Sequence, residues 1–260
     1  MLKLVTYNIK NSRPGDPFIA DWSDRKVAFM NYLEASQADI IGLQEVTAEQ
    51  FDDLQQLHCY AMFGEVRDRE LYGEYTPILY RKDRFSLLDS GTFWLSDTPS
   101  TMSIASSWGA ACYRIVTWGK FVDRIGNREF LVLNTHLDHV SSIARSHSIQ
   151  LILEFLKAKE ETPTILMGDF NSDTSEEWYS YLCETMHDAM AGASTQVIPD
   201  WTYVDFETGE KEVIDYLFFK GEFILHSKNI VNVGEGFLSD HRPIEVVIEY
   251  GIEESDNNAS

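Results

Sequence analysis

The sequence predicts one α/β domain in which two β-sheets face each other. Its 260 residues are 44% hydrophobic and 13% aromatic, which is enough for one large core. The order helix, strand, acid, capped helix occurs twice, at about 24–57 and again at about 143–184. The strand of the first unit ends in Gln44-Glu45 and that of the second in Gly168-Asp169. Two such units predict two sheets built to one plan, with their carboxylates at one edge of the sandwich.

The hydrophobic pattern places strands along the whole chain. Strands are predicted where apolar residues alternate or run together, at 2–8, 38–45, 59–65, 75–81, 85–94, 113–122, 129–137, 164–171, 213–219, 223–231 and 243–249. A turn at 124–127 joins two of these as a hairpin, and 213–219 is predicted to form another hairpin with 223–231. The loop at 97–112 is long for a compact domain and is predicted to be functional. A further loop covers 189–205, and 253–260 is predicted to be a frayed polar tail.

Helices are predicted at 24–35, from 47 onward, at 141–157 and after 174–177. Ser23 caps the first helix, while Thr47 and Gln50 form a capping box and Thr174 begins the last cap. The apolar stripe of the first helix is predicted to be Val27, Met30 and Leu33. The inner face of the second is predicted to be Phe51, Leu54 and Leu57.

Composition restricts the partners. The 42 acids against 21 Lys and Arg give a net charge of −21, which weighs against tight binding of duplex nucleic acid. A nuclease could still act if a cation and a local basic rim offset that charge. Neither a secretory leader nor a membrane span is recognisable, so we expect a cytoplasmic monomer with a single domain at 1–252. Cys59, Cys112 and Cys183 are expected to be packed thiols.

Polar residues at predicted strand ends are the candidates for chemistry. They are Asn8, Glu45, His136, Asp169 with Asn171, Asp215, and Asp240 with His241. Each alone has a structural explanation, such as a turn, a solvated acid or a hydrogen-bonded core histidine. Together, carboxylates, amides and histidines without a thiolate suit a hard cation and a phosphate ester. Oxygen ligands favour Mg²⁺ or Mn²⁺ over zinc, and Glu45 with Asn8 or Asp240 would suffice for such an ion.

These residues occur in an order that has a family resemblance. The blocks Asn8, Gln44-Glu45, Asn134-Thr-His-Leu137, Gly168-Asp-Phe-Asn171, Ile214-Asp-Tyr216 and Ser239-Asp-His241 resemble the endonuclease/exonuclease/phosphatase superfamily, which has the deoxyribonuclease I-like fold. The resemblance implies a four-layer α/β sandwich, dependence on Mg²⁺ and attack of water on phosphorus. The block at 134–137 looks more like the deadenylase and neutral sphingomyelinase branch than like the abasic-site endonucleases.

The resemblance also implies a role for each residue. Glu45 is the main metal ligand, with Asn8 at the metal and phosphate and Asp240 completing that shell. Asp169 activates the attacking water beside Asn171, while the transition-state charge is stabilised by His136 and His241.

Three further roles follow from the same resemblance. Asp215 orients His241, Glu74 orients His136, and Arg114 contacts a phosphate. The position two residues after Asn8, where some nucleases of the family carry an acid, is Lys10 here. A second metal ion is therefore not expected, although Lys10 could contact a phosphate.

Three functions remain open at this point. The first is a Mg²⁺-dependent, nuclease-like phosphodiesterase, with 3′–5′ exonuclease action on single-stranded substrate as one form. Trp94, Trp108 and Trp201 with Arg67, Arg69 and Arg114 would then stack bases and meet phosphates. The second is hydrolysis of a small-molecule or lipid phosphate ester. The third is a non-catalytic binding module on the same fold.

Overall fold

A computed structural model describes residues 1–159, 161–192, 199–233 and 238–251. Its helices are α1 (Trp22–Ser36), α2 (Ala48–Leu54), α3 (Ser142–Lys157) and α4 (Glu177–Cys183), with a 3₁₀ turn at Ser106–Trp108. The strands of the first half are β1 (Leu2–Asn8), β2 (Ile40–Gln44), β3 (Tyr60–Phe63), β4 (Ile78–Arg81), β5 (Phe85–Trp94), β6 (Ile115–Asp123) and β7 (Arg128–His136). Those of the second half are β8 (Thr164–Asp169), β9 (His187–Asp188), β10 (Tyr203–Val204), β11 (Lys211–Glu212), β12 (Asp215–Lys220), β13 (Phe223–Ile230) and β14 (Ile244–Tyr250). The tail predicted at 253–260 and part of the loop at 189–205 lie outside the described residues.

Two six-stranded mixed sheets form the centre of the fold. Their strand orders are β13-β14-β1-β2-β4-β3 and β5-β6-β7-β8-β12-β9, and β10 pairs with β11 in a separate ribbon. α1 and α2 cover the outer face of the first sheet, and α3 and α4 cover that of the second. The predicted four-layer α/β sandwich is therefore confirmed.

The alternation of side chains along the strands explains the layering. In β1, Leu2 and Leu4 point into the core between the two sheets, whereas Val5 and Tyr7 pack under α1. Because Asn8 continues the inward series, it reaches the edge of the central core and is completely buried. The same alternation brings the last residue of β8, Asp169, to that edge.

Two parallel strand pairs, each joined by a crossover helix, carry most of the site. β1 lies parallel to β2 with Asn8 opposite Gln44, and β7 lies parallel to β8 with His136 opposite Asp169. Gln44 Nε2 reaches across to Asn134 Oδ1 at 2.6 Å and so links the two sheets below the site. The predicted repeat of one plan in two facing sheets is confirmed.

The capping box at the start of α2 is also confirmed, since the Thr47 N–H donates to Gln50 Oε1 at 2.9 Å. The predicted cap at Thr174 is wrong, because α4 begins after Glu176. The predicted stripe of α1 is partly wrong, since Val27 is 65% exposed. Its buried face consists of Trp22, Arg25, Phe29, Leu33 and Ser36.

The predicted hairpin of 213–219 with 223–231 is wrong. Both strands exist, but β12 pairs with β8 and β9 in one sheet, whereas β13 pairs with β14 in the other. Each strand pairs along its whole length with an apolar partner elsewhere, and Gly221 between the two strands has a left-handed φ of 91°, which allows the sharp change from one sheet to the other.

Two smaller predictions also need correction. Cys59 and Cys183 are exposed, so only Cys112 is a partly packed thiol. Trp94 is 7% exposed, and its indole Nε1 donates to Arg67 O at 2.8 Å, so it cannot stack a base. Among the described residues, no helix has the length and apolar character needed to cross a membrane.

Candidate active site

The site is centred on the carboxylate of Asp169, which is 1% exposed at the end of β8. Its Oδ2 accepts a hydrogen bond from Asn8 Nδ2 at 2.9 Å. The same oxygen lies 3.3 Å from His136 Nε2 and 3.6 Å from His241 Nε2. Oδ1 accepts from the Asn171 N–H at 2.9 Å. The structure thus brings residues from four separate sequence blocks onto one carboxylate.

Gly168 allows the strand that carries Asp169 to approach its neighbour. A Cβ at this position would lie 2.1 Å from Thr135 O on β7. The absent side chain therefore serves the close approach of another backbone. Asn171, at φ 53°, points its side chain back, and its Nδ2 donates to Leu137 O at 2.9 Å. This bond fixes the turn that follows Asp169.

His241 is held by Asp215. The two residues are 5% and 0% exposed, and His241 Nδ1 lies 2.8 Å from Asp215 Oδ2. Asp215 in turn lies directly opposite Asp169 in the β12–β8 ladder. Burial alone would lower the pKa of His241, but Asp215 and then Asp169 raise it to about 10. The ring is therefore an imidazolium at neutral pH, with Nε2–H directed toward Asp169.

The pKa of Asp169 lies near neutral pH. Burial raises its pKa, His241 opposes that rise and Asp215 adds to it, so that the pKa reaches about 7. A carboxylate with this pKa can accept a proton from water at physiological pH, as a general base must.

His136 differs from His241 in charge. Burial, followed by the charges of Arg114 and Arg67, holds the His136 pKa well below its usual value. The ring is therefore neutral, and because a carboxylate only accepts, Nε2–H is the donor toward Asp169. Its Nδ1 is buried without a hydrogen-bond partner among the described residues.

Glu74, which the resemblance implied as the partner of His136, has other partners here. It forms an ion pair with Arg67 at 2.7 Å and accepts from Asn11 Nδ2 at 3.3 Å. Burial and the nearby Glu45 raise the Glu74 pKa. In the described part of the chain, no hydrogen bond joins Glu74 to His136.

Glu45 follows β2 in a left-handed conformation, with φ at 60°. Its Oε1 accepts from Asn8 Nδ2 at 3.0 Å, and its Oε2 accepts from the Asn11 backbone N–H and Nδ2, each at 3.1 Å. Burial opposes ionisation, but Lys10 and then Asn8 lower the pKa of Glu45 below its usual value. The carboxylate is therefore charged, which a cation ligand requires.

Asn8 orients the carboxylates of Glu45 and Asp169 through its side-chain NH₂ group. Its Nδ2 bridges Glu45 and Asp169, and its Oδ1 accepts from the Lys10 N–H at 3.1 Å. Asp240, the other predicted metal ligand, lies 2.7 Å from Lys10 Nζ.

The donor set fits a hard divalent cation. Glu45 offers a charged, partly exposed carboxylate that could hold such an ion, and the buried Asp215 Oδ1 has no partner among the described residues. Ligand atoms of Asp169, Asp215 and His241 all lie within 4.8 Å of one another. Carboxylate oxygens without thiolates are the ligands that Mg²⁺ and Mn²⁺ take.

Arg114 lies beside His136 and is 5% exposed. Its Nη2 lies 3.1 Å from His139 Nδ1, whereas its Nε and Nη1 are buried with no partner in the described residues. Asp138 fixes this corner, because its carboxylate accepts backbone N–H bonds from Ala111 and Ser141 at 2.8 and 2.9 Å. The loop at 97–112 thus joins the site through Ala111.

Sequence reasoning missed three residues of this site. Asn11 holds Glu45, and His139 holds Arg114. Arg25 is 4% exposed and donates to the backbone carbonyls of residues 9–11 and 238. His139 had a visible signal, since it ends the polar run that follows β7, but a buried arginine on a predicted surface helix had none.

Of the predicted aromatic residues, Trp201 packs against Arg242, the residue that follows His241. The Arg242 guanidinium lies 3.6 Å from its ring centroid, and the neighbouring Tyr203 ring is 4.9 Å from that of His241. Trp108 instead stacks on His147 at 5.1 Å.

A four-layer sandwich with paired acids and histidines at one edge defines a class of phosphoester hydrolases. The model of the endonuclease/exonuclease/phosphatase family matches residues 5–241, and the chain belongs to this family.

Solved structures agree with the family assignment. An endonuclease/exonuclease/phosphatase from Bacteroides vulgatus is 35% identical with a TM-score of 0.88, and the match covers 96% of this chain and 98% of that one. The mannosyl-6-phosphatase of Bacteroides thetaiotaomicron is 28% identical with a TM-score of 0.85, over 96% of this chain and 100% of that one.

Among curated proteins, Nocturnin of Drosophila melanogaster is 24% identical, over 87% of this chain but 36% of its own length. The chain spans less than two thirds of the length of the curated relatives that it matches, 36% of Nocturnin and 60% of an uncharacterised protein of Acanthamoeba polyphaga mimivirus.

Proposed function

We propose that this protein is a divalent-cation-dependent phosphatase that hydrolyses phosphate monoesters of small polar molecules. The observation that carries the proposal is the buried guanidinium of Arg114, whose Nε and Nη1 have no partner in the described residues. Buried N–H donors without partners are costly, and a phosphate dianion is the partner that the guanidinium fork suits. Arg114 is also the largest charge acting on the His136 pKa, so this guanidinium is close to the site.

The chain's own residues account for the attack of water. Asp169, with a pKa of about 7, orients a water molecule and takes its proton as the new P–O bond forms and the ester P–O bond breaks. His136 holds Asp169 Oδ2 through Nε2–H, and the His241 imidazolium provides positive charge for the phosphate oxygens. When bound, the divalent cation supplies Lewis-acid stabilisation of the developing charge. Glu45 would hold it, and Asn8 keeps Glu45 and Asp169 in place.

Three observations favour a small monoester over a polynucleotide. The net charge of −21 repels polyanions. Trp94 is buried and Trp108 is stacked on His147, so two of the three predicted base platforms are occupied. The mannosyl-6-phosphatase, which acts on a sugar phosphate, matches nearly the whole chain at 28% identity.

A nuclease-like phosphodiesterase is the second candidate. It is favoured by the basic surface around Trp201, where Arg242 and Lys211 lie 3.6 and 5.0 Å from the ring centroid, because these two cations suit the phosphates of an oligonucleotide.

The two candidates separate in a substrate panel. Product release is measured with p-nitrophenyl phosphate, mannose 6-phosphate, bis(p-nitrophenyl) phosphate and 5′-labelled single-stranded DNA and RNA, each with Mg²⁺, Mn²⁺ or EDTA. We expect metal-dependent turnover of the monoesters, with kcat/KM at least tenfold above that of the diesters. Preferential cleavage of the diesters or oligonucleotides would instead establish the second candidate.

Matched variants show whether the site performs the turnover. Asp169→Asn and His241→Asn should lower kcat by about 10²- to 10⁴-fold. Asp188→Asn on β9 and the surface variant His226→Asn are the controls, and both should keep wild-type turnover. No metal-dependent turnover of any substrate, with Mn²⁺ binding absent, would leave the non-catalytic module and refute both candidates.

A further inference from the structure

Lys10 is held in an unusual conformation beside the site. Its φ is 56°, a left-handed value that non-glycine residues seldom adopt and that clusters at functional sites. The Lys10 N–H donates to Asn8 Oδ1 at 3.1 Å. Its carbonyl accepts from Arg25 Nη2 at 2.6 Å and from Gln50 Nε2 at 2.9 Å. A buried polar framework therefore fixes the direction in which the Lys10 side chain leaves the backbone.

The ammonium group at the end of that side chain lies between acids. Lys10 Nζ is 2.7 Å from Asp240 Oδ2 and 3.7 Å from Asp16 Oδ2, and the side chain is 27% exposed. The ammonium thus lies against the Asp240 carboxylate, where a cation bound to Asp240 would otherwise lie.

From this placement we infer that the Lys10 ammonium takes the place of a second metal ion in the site. The protein binds one divalent cation, held by Glu45, and the substrate phosphate contacts both that cation and the Lys10 ammonium. The inference rests on the proposed function for its substrate, but its metal count and its phosphate contact stand on the placement of Lys10 alone.

Two physical arguments support it. A second divalent cation on Asp240 would have to displace an ammonium that already forms an ion pair at 2.7 Å, and it would be repelled if the ammonium stayed. An ammonium has three donors, and Asp240 uses one, so hydrogens remain for phosphate oxygens. Because the backbone of Lys10 is already fixed, its side chain loses little conformational freedom when the phosphate binds.

The test measures binding as well as turnover. Mn²⁺ titration by calorimetry and electron paramagnetic resonance should give one ion per chain for the wild type and for Lys10→Met. Binding of inorganic phosphate in the presence of Mg²⁺ should weaken by about 10- to 100-fold in Lys10→Met, because a charge-assisted hydrogen bond is lost. Lys10→Arg keeps the charge and should stay within about fivefold of the wild type for this affinity.

The matched control is Lys3→Met, which removes the ion pair of Lys3 with Glu245 at 2.8 Å, at the other end of β1. It should bind phosphate as the wild type does. Two Mn²⁺ ions per wild-type chain, or unchanged phosphate affinity in Lys10→Met, would overturn the inference. An equal loss of phosphate affinity in Lys10→Arg and Lys10→Met would also overturn the inference. One Mn²⁺ and Lys10-dependent phosphate binding, without turnover of any ester, would refute the proposed phosphatase and leave this inference standing.

Discussion

Replacing Asp215 with Asn should lower the pKa of His241 substantially. The two side chains are 2.8 Å apart, nearly fully buried, and Asp215 is the largest charge that holds the His241 pKa at about 10 instead of the usual 6.5. That difference corresponds to about 5 kcal/mol in favour of the imidazolium. Asp215 shares this effect with Asp169 and Asp240, so we assign roughly half of it to Asp215, and a loss of about 2–3 kcal/mol brings the pKa to about 8.

The direct assay is a ¹⁵N NMR titration of the histidine side chains in the metal-free protein. His241 is assigned by the signal lost in His241→Gln. A pKa near 10 falls to about 8 in Asp215→Asn, whereas Asp188→Asn should leave it unchanged. Since Asn is the same size and can still accept from Nδ1, the packing around the ring is kept.

Turnover provides a second measure of the same change. A raised pKa means that the imidazolium persists at pH values below the folded-state pKa and is lost as pH rises through it. Asp215→Asn should therefore lower turnover relative to the wild type by a factor about tenfold larger at pH 9 than at pH 6.5. A wild-type His241 that titrates near 6.5, or a titration that Asp215→Asn does not shift, would refute the electrostatic account of this pair.

Three further predictions follow from the site. The raised Asp169 pKa of about 7 means that the active carboxylate is lost on acidification, so kcat/KM should decrease as the pH drops below about 7. A bound cation that stabilises the carboxylate would move this decrease to lower pH, and a decrease that begins clearly above pH 8 would contradict the prediction. Arg114→Met should raise the inhibition constant of inorganic phosphate by about 10- to 100-fold, and a change below twofold would remove Arg114 from phosphate binding. Gly168→Ala should lower the free energy of unfolding, measured in urea, by about 3 kcal/mol, because the new Cβ would lie 2.1 Å from Thr135 O. The control Gly126→Ala should lower it by less than about 1 kcal/mol. Equal effects of the two substitutions would show that β7 and β8 do not approach closely at Gly168.

Local patterns in the sequence were sufficient for most elements. Strand β5 has the bounds that its apolar pattern predicted, Phe85–Trp94, and the capping box at Thr47 opens α2 as expected. Both depend on neighbours along the chain, so the sequence contains all the information that decides them. Burial of single residues was harder to predict: Val27 is exposed although it was expected in the apolar stripe, and Trp94 is buried although it was expected at the surface. Whether a residue is covered depends on which element packs over it.

The hairpin error at β12 and β13 shows where local reasoning ends. The two strands are adjacent in sequence and separated only by Gly221-Glu222, which suits a hairpin turn. They separate because β12 finds β8 in one sheet and β13 finds β14 in the other. Pairing between strands is decided by competition among all possible partners, and a short turn does not settle that competition.

The sequence by itself determined which residues could do chemistry, because acids, amides and histidines at strand ends are visible in the order of residues. Tertiary structure alone decided how they act on one another. Asp169, Asp215 and His241 lie far apart in the chain, yet they meet at one buried edge of the sandwich. Burial there raises the pKa of Asp169 to about 7, and the neighbouring carboxylates, against the effect of burial, raise that of His241 to about 10. The same is true of Lys10 beside Asp240, which are 230 residues apart in sequence. Desolvation and charge–charge interaction depend on distance in space and on exclusion of water, and the folded chain sets both.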